Sequence, residues 1–152
     1  MIDHLTTADA QISRPFWMGV LARASSSEVA ALLGSLPPYE MIKRPETGTI
    51  MLEGRAGGGG RRFNVGEATM TRCVVRLPDG TMGFSYALGR DRKKAEHAAV
   101  IDALLQSESL EKAALLGHIE RLAHAQNEQR ELASRKAAAT KVNFFTLVRG
   151  DG

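Results

Sequence analysis

The chain has 152 residues, 43% of them hydrophobic and 24% charged, enough for one domain with a real core. A single cysteine, Cys73, excludes an intramolecular disulfide framework and a cysteine-rich zinc site, and no run approaches the ~20 apolar residues that span a bilayer. The net charge of +3 is unevenly placed: residues 55–94 hold nine Arg or Lys against three acids, which makes that segment +6 and the remainder −3. A basic middle in a mildly acidic chain points to one anionic ligand or partner surface rather than a general polycation.

Residues 1–12 read as a polar tail without the apolar stretch of a secretory leader, and a cytoplasmic location is expected. Ser13 and Pro15 predict a helix start, with Phe16, Trp17, Val20 and Leu21 on an apolar face. A second short helix follows, capped by Ser27 and ended by Pro37-Pro38, so the entry is a helical hairpin in which the lone Trp17 needs cover. Tyr39–Lys43 and Thr49–Glu53 are expected as two short strands around a turn at Pro45-Glu46-Thr47-Gly48.

The four glycines at 57–60, flanked by Arg55, Arg61 and Arg62, lack the Lys-Ser/Thr ending of a P-loop. They read as a mobile loop, or as one that closes over an anion. Leu77-Pro78-Asp79-Gly80-Thr81 predicts a bulged type I turn inside a hairpin. On its second strand Met82, Phe84, Tyr86 and Leu88 share a face that reads as core. The opposite face, Thr81, Gly83, Ser85 and Ala87, is small enough for a helix or a ligand to approach closely.

A helix is predicted from Arg92 to about Gln106 with Asp91 as N-cap. Arg92, Lys93 and Lys94 fill its first turn, where cations oppose the helix dipole; either an anion compensates them or they splay into water. A further helix runs from Leu110 to about Lys136, with Leu115, Ile119 and Leu122 as its stripe. Val142–Val148 is expected to be extended, apolar on both faces and to require burial in the domain or in a partner. The four histidines, His4, His97, His118 and His124, show no metal-ligand spacing, and no metal site is expected. The residues show anion-binding potential without a complete catalytic set, as in an enzyme subunit or a binding module.

Several segments resemble the PhnG family of the carbon–phosphorus lyase machinery. They are Glu46-Thr47-Gly48, Arg62-Phe63, Gly66 to Arg72, Asp79-Gly80-Thr81 with Gly83 and Ser85, and Gly89-Arg90-Asp91. Ala95-Glu96, Ile101 to Leu104, and Phe144-Phe145-Thr146 with Val148 to Asp151 complete the pattern, which runs from about Phe16 to the C-terminus. The resemblance implies a subunit of a core complex with three other subunits, two copies of each. With the nucleosidase-like subunit it would support attack of a phosphonate on C1′ of ATP with loss of adenine. This chain would bind no cofactor of its own, ATP and the phosphonate being substrates of the complex, and isolated it would be inactive. The positions carried over are Glu46, Arg62, Glu67, Arg72, Arg90, Asp91, Glu96, Asp102, Arg149 and Asp151; Lys93, Lys94 and His97 lie outside the pattern.

The expected architecture is therefore α+β in one domain over 13–152: a helical hairpin, an antiparallel sheet of about four strands, C-terminal helices and an extended end. Arg62, Arg72, Arg90 and Asp91 are the anion- or substrate-facing candidates; Phe144, Phe145, Arg149 and Asp151 are the partner-interface candidates. The competing reading is a nucleic-acid-binding module using Phe63, Phe84 and Tyr86 beside the basic segment.

Overall fold

The computed structural model describes residues 12–55 and 60–151, the side chains of residues 55 and 139–151 excepted. The described residues form four helices and a three-stranded antiparallel meander: α1 (Arg14–Arg23), α2 (Ser26–Leu33), β1 (Glu40–Arg55), β2 (Arg62–Arg76), β3 (Met82–Leu88), α3 (Arg92–Gln106) and α4 (Lys112–Asp151). The α+β class and the helical hairpin at the entry hold.

Local chemistry explains most boundaries. Pro15 sits in the first turn of α1, where its missing N–H costs nothing. The cap of α2 is Ser25 rather than Ser27: its hydroxyl accepts from the Glu28 amide, and the Glu28 carboxylate accepts from the Ser25 amide. That reciprocal pair is a capping box. The helix ends at Gly34, whose φ of +64° favours glycine, before the two prolines are reached. The hairpin turn is as expected, Leu77 and Thr81 closing it through Leu77 N–H to Thr81 O at 2.9 Å, with Gly80 at φ +94°.

The two short strands expected around Pro45 are one long strand. The Pro45 region does not reverse the chain; it is absorbed as irregular pairing between Lys43 and Glu46, because a bulge accommodates a residue that cannot donate to the ladder. The sheet therefore has three strands, not four. The expected extended end over Val142–Val148 is likewise corrected, since α4 runs through it to Asp151. Between Arg121 and Arg149 the sequence contains neither Gly nor Pro to stop a helix, so propagation continues through the β-branched residues.

The core lies between the sheet and α3. Ala95, Ala98, Ala99 and Ala103 of α3 are buried against Gly83, Ser85 and Ala87 of β3, and the Ser85 hydroxyl donates to the Ala95 carbonyl at 2.6 Å. The small face of β3 is thus the core face, and a helix occupies it. The large face is not core: Tyr86 and Leu88 are exposed and Met82 and Phe84 only half-buried. From below, Trp17, Val20 and Leu21 of α1 and Leu115 and Ile119 of α4 complete the cluster.

Cys73 is buried in β2, 3.6 Å from the Met41 sulfur, and burial first, with Glu96 nearby, pushes its thiol from 9.0 to about 11. In the unfolded chain it ionises near 9, while the folded chain keeps the proton to about 11. Between those values the unfolded state binds fewer protons, so stability falls as pH rises, by roughly 2 to 3 kcal/mol. Urea denaturation at pH 8 and pH 10.5 should show this fall, and Cys73→Ala should flatten it. An unchanged pH dependence in the variant would exclude Cys73 as its source.

Candidate functional site

Three of the acidic positions carried by the family resemblance, Asp91, Glu96 and Asp102, build the fold, while Glu46 and Glu67 are exposed. Asp102 lies on α3 inside the apolar run Val100-Ile101-Asp102-Ala103-Leu104 and is fully buried. Its Oδ1 accepts from Arg14 Nε at 3.1 Å and Trp17 Nε1 at 2.8 Å. Its Oδ2 accepts from Arg14 Nη2 at 2.9 Å, Gln106 Nε2 at 3.0 Å and the Phe84 backbone N–H at 2.8 Å. One carboxylate thus ties α1 to α3 and caps the free edge of β3, which satisfies buried donors on three elements. Hydrogen bonding to Asp102 raises the Arg14 guanidinium above its ordinary range, and the same guanidinium lies 5.5 Å from the Phe84 ring centre. This network was missed from sequence. Its signal was the lone Trp together with an Asp inside an otherwise apolar helix stretch.

Asp91 caps α3 as expected, its Oδ1 accepting from the Lys94 amide at 3.0 Å. That backbone bond, joined by the Ser26 hydroxyl, holds the carboxyl below the usual carboxylate range. The helix start is therefore complemented by a charge of its own chain. Lys94 turns inward: its ammonium donates to the carbonyls of Ala22 at 3.0 Å and Leu88 at 3.3 Å, and desolvation lowers its pKa. The argument for an anion from three adjacent cations loses one of the three. Glu96 accepts from the Tyr39 hydroxyl, and burial followed by that bond pushes the phenol up to about 12.

The arginines behave differently. Arg72 is exposed on the outer face of the sheet, level with Glu46 on β1 and Tyr86 on β3, and forms no ion pair among the described residues. Arg90 is exposed and equally unpaired in the β3–α3 connection. That connection is held in place. Gly89, at φ +95°, donates to Thr69 O at 2.9 Å; the Thr71 hydroxyl bonds Gly89 O at 2.8 Å and reaches the Thr47 hydroxyl at 2.9 Å.

Arg62 sits elsewhere. It is ten residues from Arg72 along β2, about 33 Å at strand rise, and lies 3.8 Å from Glu53 in an exposed pair. Arg72 lies within the three-stranded part of the sheet, Arg90 and Asp91 follow Gly89, which bonds Thr69 midway along β2, and Arg62 begins that strand. Residues 56–59, which include three of the four glycines, and the side chains of Phe144, Phe145, Arg149 and Asp151 lie outside the described residues. Of the aromatics in the nucleic-acid reading, Phe63 and Tyr86 are exposed while Phe84 is half-buried beneath Arg14.

Asp91, Glu96 and Asp102 committed to the fold, Arg72 and Arg90 left on the surface, and a third strand whose large apolar side chains face outward define a chain organised to present surfaces. Residues 12–150 match the family model described as Phosphonate metabolism protein PhnG, and the chain belongs to that family. It is 39% identical over 156 residues, covering 99% of both chains, to the alpha-D-ribose 1-methylphosphonate 5-triphosphate synthase subunit PhnG of Rhizobium meliloti (strain 1021). No helix among the described residues is long and apolar enough to cross a membrane.

Proposed function

We propose that this chain is a non-autonomous subunit of a synthase that makes ribose 1-phosphonate 5-triphosphates in phosphonate catabolism. The observation that carries the reading is the 39% identity, over nearly the full length, to a relative named as a subunit of such a synthase. In the reaction a phosphonate oxygen attacks C1′ of ATP, the C1′–N glycosidic bond breaks, and its electron pair leaves with adenine, which takes up a proton. The nucleosidase-like subunit is the proposed partner for this step, and the complex acts in the cytoplasm.

Asp91 and Asp102 are occupied by structural hydrogen bonds, which leaves electrostatics as the contribution of this chain. Arg72 and Arg90 stand exposed around the middle of β2, and guanidinium groups can hold a triphosphate or phosphonate. Neither requires a cofactor bound by this chain.

Adenine release from ATP with methylphosphonate is the direct test. Activity is expected from this chain co-expressed with the nucleosidase-like subunit and from neither alone; equal activity without this chain would overturn the reading. Arg72→Ala and Arg90→Ala in the assembled complex should each lower kcat/KM about tenfold to a hundredfold, the loss of one charge-assisted hydrogen bond. Full activity in both variants would remove the arginines from the substrate site.

A further inference from the structure

Two backbone bonds fix which way the amides of β2 point. Gly89 N–H donates to Thr69 O, and Leu77 N–H donates to Thr81 O, each at 2.9 Å. Both bonds lie on the β3 side, and the β2–β3 register between them is unbroken, so the odd-numbered residues of β2 direct N–H and C=O toward β3. Its even-numbered residues therefore bond β1. The β1–β2 register is also unbroken from Glu46↔Arg72 to Leu52↔Gly66. Thr47, Thr49 and Met51, which face Thr71, Thr69 and Glu67, thus turn their N–H and C=O groups away from β2 to the free edge. The Thr47 and Thr71 hydroxyls lie 2.9 Å apart, as suits a pair that exchanges no backbone bonds and brings its side chains closer.

These main-chain groups have no partner among the described residues, and residues 46–52 are all exposed. Such an edge is a template for another strand unless something blunts it. Lys43, Arg44 and Pro45, with irregular pairing between Lys43 and Glu46, guard one side of the stretch. The register shift between Leu52 and Glu53 guards the other. Between those guards Glu46 is the only charge. Ile50 and Leu52 lie on one face of the edge and Met51 on the other, all exposed, and a strand laid alongside would cover both faces.

Symmetry selects the strand. The unbroken stretch 46–52 is centred on Thr49. An antiparallel second copy, related by a twofold axis through that residue, pairs Thr49 with Thr49 and Thr47 with Met51. Every open N–H and C=O group then finds a partner. Shifting the axis by one or two residues along β1 sets an open group opposite Pro45, which has no N–H, or opposite residues past the shift at Leu52. In the centred register Ile50 faces Gly48 of the copy, where a Cβ would meet nothing within 4 Å, and Glu46 faces Leu52, so no like charges oppose. We infer that the β1 edge pairs with the β1 edge of a second copy, joining the two sheets into one. The pairing does not depend on the subunit reading. It buries less than a standard interface, so a dissociation constant of about 1 to 100 μM is expected.

Sedimentation of the full chain across about that concentration range tests it, comparing wild type, Thr49→Pro and Thr49→Val. Proline removes one N–H that faces solvent in the monomer, a place where strands tolerate it. Thr49→Pro should therefore keep the wild-type circular dichroism at dilution. Wild type and Thr49→Val should dimerise reversibly. Thr49→Pro should dimerise about thirtyfold more weakly, because the twofold axis makes one substitution remove two hydrogen bonds. Hydrogen exchange on the wild type is the second readout. The amides of Thr47, Thr49 and Met51 should be protected at high concentration and exchange freely on dilution, while Gly48 and Ile50, bonded to β2, change little.

A wild type that stays monomeric throughout, or a dimer that folded Thr49→Pro leaves as tight, overturns the pairing. Should Thr49→Pro fail to fold, exchange decides: a dimer without protection at Thr47, Thr49 and Met51 overturns it. Protection that appears only when other subunits of the synthase are added would give the edge to a strand of theirs and overturn the second copy.

Discussion

Asp102→Ala is expected to cost about 3 to 5 kcal/mol of folding stability, the scale for removing one partner of a buried charged pair. The magnitude follows from what the carboxylate leaves behind. The Trp17 indole N–H and the Phe84 backbone N–H lose their acceptor, 2.8 Å away in both cases. Alanine brings no acceptor to replace it, and each unpaired buried donor costs about 1 to 3 kcal/mol. Arg14 suffers less, because its side chain is 39% exposed and can turn to water. Domains of this kind have only about 5 to 15 kcal/mol in total, so the loss is a large fraction.

Asp102→Asn separates charge from shape. It preserves volume but aims an NH₂ group at donors, so it should lose nearly as much as alanine. Arg14→Ala should also be costly, about 3 kcal/mol, since the fully buried carboxylate loses its counter-charge although it keeps three hydrogen-bond donors. Urea denaturation followed by Trp17 fluorescence orders the three. A loss below 1 kcal/mol in Asp102→Ala would show that the network does not hold α1 and β3 to α3.

The second large effect is expected at Gly83. A Cβ there would overlap the Ala99 carbonyl oxygen and lie 2.7 Å from Ala103 Cβ and 2.9 Å from Ala103 N. Two of those three atoms are backbone of α3, so no rotamer change relieves the overlap; the helix must lift from the sheet. Gly83→Ala should cost ~3 kcal/mol, at the upper end for overpacking, and Gly83→Val should prevent folding. The control is Gly48→Ala, where nothing lies within 4 Å and φ is not positive. It should be neutral or slightly stabilising, because alanine restricts the unfolded chain. Equal thermal midpoints for the two alanine variants would disprove close helix–sheet packing at Gly83.

Both positions show where sequence reasoning reached and where it stopped. Gly83, Ser85 and Ala87 could be recognised as a small face open to a helix. The companion inference, that Phe84, Tyr86 and Leu88 form the core, was wrong. Hydrophobicity ranks side chains but does not say which face has a neighbour, and α3 carries the alanines that fit only the small face.

What the sequence determined by itself was local. The limits of α3 followed from Asp91 and the apolar stripe, the β2–β3 turn from Pro78-Asp79-Gly80, and family membership from short motifs along most of the chain. These signals lie within a few residues of the structure they specify, so local propensity suffices. The tertiary structure decided what depends on distant partners. It merged two expected strands into β1, because pairing with β2 carries the chain through Pro45. It turned Lys94 inward onto carbonyls of α1 and β3, and it made Asp102 the joint of three elements up to 88 residues apart. It also separated Arg62 from Arg72 and left Tyr86 and Leu88 exposed on the outer face of the sheet. No spacing rule reports these outcomes, because burial and pairing are properties of the assembled layers rather than of any one segment.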